Sequence, residues 1–229
     1  MIHGVCGSTP WCKLDKVKFL CPVPGYDRHF AITEQFGIEM INIPLNADGP
    51  DMDMVQKYVE SDASVKGIWC VPLYSNPGGV CYSDETVRRF AALKPAAPDF
   101  LLMWDNAYCI HDFDVEDIPF PDILSLCEKY GNADMVFEFA STAKITIPGA
   151  GISCFACSEA NMAYISKLIG FQIISYDKIN QFRHVKYMQN KAHTLEINNK
   201  LDSEREDLLW DGILEMKERL GGLYPTIIV

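Results

Sequence analysis

Residues 65–79 read VKGIWCVPLYSNPGG, and the part from Val65 to Leu73 is a nearly continuous apolar run. A strand buried on both faces reads this way, which places the run in the interior of a parallel sheet. It breaks at Tyr74-Ser75-Asn76-Pro77-Gly78-Gly79, a loop by composition. Ser83-Asp84-Glu85-Thr86 then opens a helix, with a hydroxyl cap and acids in the first turn. Upstream, Pro50 to Ser61 carries Met52, Met54, Val55 and Val59 at helical spacing. Before it, Ile38 to Ile43 predicts a strand, Tyr26 to Phe36 a short helix, and Lys16 to Cys21 a strand ended by Pro22-Val23-Pro24-Gly25. Downstream, strands are predicted over Phe100 to Trp104, Asp134 to Ala140 and Ile152 to Cys157, with a helix over Pro121 to Tyr130. Strand and helix alternate along the chain, which implies right-handed crossovers. The expected fold class is α/β: a mostly parallel sheet with helices on both faces.

After Ser158 the pattern turns helical, over Ser158 to Phe171 and Ile179 to Asn190. Leu195 to Leu220 follows as a charged, mostly helical stretch that Gly221-Gly222 would cap, and Tyr224 to Val229 is an apolar tail. The expected division is a large domain over 1–190 and, over 191–229, a helical connection entering a second domain. With 229 residues and 48% hydrophobic content the chain can bury a sizeable core. Its net charge of -11 argues against nucleic acid or an anionic membrane as partner, since both need a positive face. The nine cysteines are odd in number and several lie in apolar runs, which suits buried free thiols in a reducing compartment. Cys154 and Cys157 form a C-x-x-C, but on a strand side chains three apart face opposite ways, so no metal site is expected. No signal peptide is evident and no apolar run nears the roughly 20 residues that span a bilayer. The expected location is the cytoplasm.

In open parallel sheets, ligands bind beyond the carboxyl ends of the strands. The loops following the predicted strands carry Tyr26 with His29, Asn76, Asp105 with Tyr108, and Ser141 with Lys144. Lys144 lies within EFASTAKITIPGAG, residues 138–151, among small hydroxyl and glycine residues. Alone, that setting suits either a solvated loop cation or a partly desolvated amine able to attack a carbonyl. An amine, a carboxylate, a phenol, an amide and an aromatic ring together are the groups that hold pyridoxal phosphate.

The segments PGYDRH, YSNPGG, DNAY and STAK, in that order, resemble the large domain of fold-type I pyridoxal-phosphate-dependent aminotransferases (class I/II). Within that group the chain is most similar to the MocR-like aspartate aminotransferase subgroup, over roughly Gly4 to Asn190. The resemblance implies that Lys144 forms the Schiff base with the cofactor and, once released, moves a proton at the substrate α-carbon. It implies that Asp105 pairs with the pyridine nitrogen, that Tyr108 and Asn76 bond the ring 3-oxygen, and that Tyr26 stacks on the ring. His29 would bond Asp105 from behind, and Ser141 would bind the phosphate. The Asn76–Pro77 bond is a candidate for the cis form. Where many relatives have Gly-x-Arg after the lysine, this chain has Gly149-Ala150-Gly151, so that phosphate-gripping cation is absent. The family's phosphate-cupping turn would lie upstream of residue 1, and its substrate-carboxylate arginine downstream of Val229. The chain therefore reads as a fragment. The implied activity is amino transfer from aspartate or a similar amino acid to 2-oxoglutarate, in a homodimer. Alternatives are a truncated relative serving as a non-enzymatic binding or interaction module, and a lyase or sensor on the same scaffold.

Overall fold

The computed structural model describes residues 9–111, 119–146, 149–190 and 192–197. These fall into two compact units, one holding the described residues of 9–109 and 119–176, the other those of 110–111 and 177–197. The first unit holds the sheet. Its elements in chain order are β1 (Lys18–Val23), α1 (Asp27–Gln35), β2 (Glu39–Asn46), β3 (Gly49–Pro50), α2 (Met52–Ser61), β4 (Val65–Cys70), α3 (Asp84–Ala91), β5 (Leu101–Asp105), α4 (Ile123–Lys129), β6 (Val136–Ser141), β7 (Ser153–Ala156) and α5 (Glu159–Gln172). The second unit contains α6 (Lys178–Met188) and a helical segment at residues 192–197. The remainder of the predicted helix from Leu195 to Leu220, the Gly221-Gly222 cap and the tail to Val229 lie outside the described residues.

The sheet order is β3-β2-β1-β4-β5-β6-β7. β1 pairs in parallel with both β2 and β4, and the parallel run continues through β5 to β6. Short antiparallel pairings add β3 and β7 at the two edges. The expected α/β class with a mostly parallel sheet therefore holds. Because the chain moves from β1 to β2 on one side and returns to β4 on the other, the β1/β4 boundary is a topological switch point, where crossovers leave in opposite directions and a crevice opens.

Strand side chains alternate between two cores. Leu102, Trp104 and Val136 face one cluster with Val55, Val59, Val87 and Phe90 of α2 and α3. Leu101, Met103 and Phe137 face the other with Trp11 and Phe19, against which Phe30 of α1 and Ile165 of α5 pack. Helices thus cover both faces, as the continuous apolar runs require. Gly67 makes the second core fit: a Cβ there would lie 1.9 Å from the Phe19 ring. Below it a buried ion pair joins Lys66 Nζ to Asp99 Oδ1 at 2.6 Å, while Trp11 Nε1 donates to Asp99 Oδ2 at 2.8 Å.

Several boundaries differ from the sequence expectation. β1 runs through Pro22 to Val23 rather than stopping at Cys21. Proline is tolerated there because pairing with β4 has already ended at Leu20↔Ile68, and only the β2 side continues. β4 ends at Cys70, short of the predicted Leu73. Asp134 opens no strand; Ala133–Met135 is a 3-10 turn, and the Asp134 carboxylate instead accepts from Ser158, the cap of α5. The cysteines are not uniformly buried. Cys21, Cys70 and Cys127 are, but Cys12, Cys109 and Cys154 are exposed, and all the described cysteines are free thiols. Burial pushes the Cys21 and Cys127 thiols up to about 12, which leaves them protonated and unreactive.

Candidate active site

The loops at the carboxyl ends of β1, β4, β5 and β6 meet beside the switch point. Beyond β1, a cis Val23–Pro24 bond and Gly25 turn the chain sharply into α1. Only glycine fits at position 25, since a Cβ would come 2.4 Å from the Pro22 carbonyl oxygen. The turn places Tyr26 at the cap of α1 and His29 in its first turn, where His29 is buried. Asp105 ends β5. Its Oδ2 lies 2.8 Å from His29 Nε2, and as an ionised carboxylate can only accept, Nε2 carries the proton of that bond. The Asp105 side chain is still 26% exposed, so it keeps lone pairs for a second donor. The Tyr26 ring stands edge-on to His29, with centroids 5.3 Å apart.

Asn76 follows β4 in a loop knotted by Ser75. Ser75 N–H donates to the Val80 carbonyl, its Oγ accepts from Val80 N–H at 3.1 Å, and the Asn76–Pro77 bond is cis. Asn76 lines a small cavity with Tyr26, His29, Trp69 and Ser75. A larger cavity of about 610 Å³, lined by Trp11, Leu14, Lys16 and Phe36, lies away from these groups. Two of its three charged members, Lys16 and Glu39, pair with each other at 2.8 Å, so size alone does not mark the site.

Lys144 sits on a turn that Thr142 fastens from both ends. The Thr142 carbonyl accepts from Ile145 N–H and Thr146 N–H, and its Oγ1 accepts from Ile152 N–H at 2.9 Å. Ile145 is buried beneath, which anchors the turn and leaves Lys144 half-buried. Its Nζ lies 3.6 Å from the centroid of the Tyr108 ring and 6.0 Å from that of Tyr26. The lysine is therefore not a freely solvated loop cation: it rests on a phenol face. Ser141 ends β6 opposite Ser153 of β7, three residues before Lys144. In the Gly149-Ala150-Gly151 segment, a Cβ on Gly151 would approach the Ala143 Cα to 3.0 Å, so the backbone packs directly on the lysine turn.

The structure thus brings Tyr26, His29, Asn76, Asp105, Tyr108 and Lys144 together from four separate loops, with Ser141 at the foot of the lysine turn. These residues fit pyridoxal phosphate by their donor chemistry: a carboxylate backed by a buried imidazole for a ring nitrogen, and an amine held beside a phenol for a carbonyl carbon. The sequence reading missed Trp69, whose indole lies flat on His29, and Asn106, whose Nδ2 donates to Glu138 Oε1 at 2.8 Å. Trp69 is the one aromatic near the end of the β4 run, and that position was its available signal.

The aspartate amino-transferase family matches residues 1–208 of the chain. A candidate aminotransferase of Mycolicibacterium smegmatis is 49% identical over 188 residues, 82% of this chain and 44% of its own length. Aspartate aminotransferase of Corynebacterium glutamicum is 47% identical over 178 residues, 78% of this chain and 41% of its own. The crystal structure of an aspartate transaminase from Corynebacterium glutamicum superposes with a TM-score of 0.85 at 41% identity, covering 93% of this chain and 50% of that one. The chain spans less than half the length of the two curated relatives. With the family matching nearly its whole length and the site residues converging at the switch point, this chain belongs to the aspartate amino-transferase family.

Proposed function

We propose that this chain is the cofactor-holding portion of a pyridoxal-phosphate-dependent aminotransferase, acting on aspartate or a similar amino acid with 2-oxoglutarate as acceptor. The observation that carries the reading is the Lys144 amine lodged 3.6 Å over the Tyr108 ring, in the same loop cluster as the His29–Asp105 pair. When bound, the cofactor supplies an electron sink that stabilises negative charge at the substrate α-carbon. Asp105 would hold the protonated ring nitrogen, and His29, donating to its other oxygen, would keep the carboxylate aimed. Tyr108 and Asn76 would donate to the ring oxygen, Tyr26 would cover the ring face, and Ser141 would contribute a hydroxyl to the phosphate. Lys144 Nζ, as a free amine, takes the proton from the substrate α-carbon. With Gly149-Ala150-Gly151 in place of an arginine, backbone N–H groups would carry more of the phosphate's charge.

The same reading makes 1–190 the cofactor-binding domain and 191–229 the lead into a second one, in a cytoplasmic homodimer. Among the described residues no helix is long and apolar enough to cross a membrane. The test is cofactor addition followed by borohydride and peptide mass spectrometry. The expected result is a fixed adduct on Lys144 that Lys144→Ala abolishes. Aspartate added before the borohydride should suppress the adduct, and 2-oxoglutarate added after aspartate, still before the borohydride, should restore it. The absence of an adduct on Lys144 at saturating cofactor would overturn the cofactor assignment; an adduct unmoved by aspartate would overturn the substrate assignment.

A further inference from the structure

Trp69 is the next-to-last residue of β4, and its side chain lies on the α1 face of the sheet. Its ring is parallel to the His29 imidazole, with centroids 4.4 Å apart and planes inclined by 8°. The indole is itself pinned. Nε1 donates to Thr33 Oγ1 at 2.8 Å, and the same hydroxyl donates to the His29 carbonyl at 2.7 Å. Thr33 lies one turn after His29 on α1 and is buried, so solvent does not compete for either bond. Phe19 stacks on Trp69 at 5.9 Å, and Trp11 meets Phe19 edge-on at 5.6 Å.

An imidazole on a helix turns about two side-chain torsions, and the second is broad. A hydrogen bond to Asp105 alone would leave the ring free to tilt about the Nε2···Oδ2 line. The indole removes that freedom from one face, while Tyr26 stands edge-on to the same ring. Thr33 fixes the distance between strand and helix at that level, because it bonds to both.

We propose that Trp69 and Thr33 are positioning residues of the site, holding the His29 imidazole in the plane that aims Nε2 at Asp105 and, through it, the carboxylate at the ring nitrogen. This rests on the cofactor assignment above. Neither residue touches the reacting atoms; both act through His29.

The experiment is a double-mutant cycle on the dissociation constant for pyridoxal phosphate, with Trp69→Leu, His29→Leu and the combined variant, accompanied by NMR of the cofactor-free chain carrying isotope-labelled histidine. Outer-shell partners of a bound group are worth roughly 10–100-fold in affinity, so Trp69→Leu is expected to weaken binding by ~10-fold. The combined variant should bind no worse than His29→Leu, because an indole acting through the imidazole has nothing left to act on. Trp69→Phe, which keeps a ring to stack, should restore most of the affinity. In the cofactor-free spectra the hydrogen-bonded Nε2 proton of His29 should vanish or move in Trp69→Leu and persist in Trp69→Phe. Additive losses in the cycle, or an unchanged Nε2 proton in Trp69→Leu, would overturn the inference. Should Trp69→Leu fail to fold, Thr33→Val enters the same cycle and must show the same non-additivity. A wild-type chain that binds no pyridoxal phosphate would refute the cofactor assignment, and the Nε2 proton would then decide the positioning role alone.

Discussion

Replacing Lys66 by methionine tests the reasoning about the buried ion pair at the amino ends of β4 and β5. Lys66 is 8% exposed and Asp99 4%, so both charges are almost wholly desolvated. Taking away one partner of such a pair costs about 3–5 kcal/mol, chiefly from the stranded charge rather than from the attraction lost. Here the Trp11 N–H, 2.8 Å from the other carboxylate oxygen, remains to share that charge, which puts the expected loss near the lower figure. At a urea slope of about 2 kcal/mol per M, ~3 kcal/mol lowers the unfolding midpoint by about 1.5 M. The double variant Lys66→Met/Asp99→Leu strands no charge. Its main penalty is the Trp11 N–H left without an acceptor, about 1–3 kcal/mol, so it should be more stable than the single variant. Urea unfolding followed by far-ultraviolet circular dichroism measures both. The cluster sits at the opposite end of β4 and β5 from Trp69 and Asp105, and the folded fraction of Lys66→Met should still form the Lys144 adduct. A loss under ~1 kcal/mol in the single variant, or a double variant less stable than the single, would refute the reasoning.

Two further outcomes concern pH. Burial raises the Glu138 carboxyl above its ordinary value of 4.5, against the opposing hydrogen bond from Asn106. The folded state therefore binds the proton more tightly than the unfolded one, and stability is highest below that ordinary value and falls as pH rises through the folded one. Glu138→Gln should remove this slope and raise neutral-pH stability by up to ~1 kcal/mol, since its amide can donate to the buried Asn106 Oδ1, which lacks a partner among the described residues. A thermal midpoint that drops at pH 7 would contradict this. Asp62 behaves oppositely: the Lys18 ammonium at 2.6 Å and both donors of Ser64 pull it down to about 2. Its contribution is complete above 3.8 and is lost as pH falls through 2. Solvent screening limits it to ~1 kcal/mol, so Asp62→Asn should cost no more than that at neutral pH and flatten the acid limb of a stability profile. An unaltered acid limb would count against it.

The alternation that gave the fold class was legible because it is local. Val65 to Cys70 could be read as an interior strand from its own residues, and Ser83 as a helix cap from the acids behind it. Edges were less legible. Pro22 looks like a strand terminator, yet it sits inside β1 because the neighbour whose ladder it would break has already left. Likewise Asp134 looked like the start of a strand, and its carboxylate turned out to be engaged by the cap of α5. At the site, residue types at the strand ends were visible and their mutual contacts were not. Lys144 permitted two readings in sequence, and its place over Tyr108 became apparent only when the β5 and β6 loops were seen side by side.

What the sequence determined by itself was the order of strands and helices and the polar residues placed after each strand, because hydrophobic period and turn chemistry act over a few residues. The tertiary structure decided which of those ends are neighbours. β1 and β4 became adjacent, His29 met Asp105 across 76 residues of chain, and Trp69 came to lie on His29 rather than in an undifferentiated core. Those contacts depend on strand order and on how rings fill the space that Gly67 leaves open, and packing of that kind is a property of the whole sheet, not of any one segment.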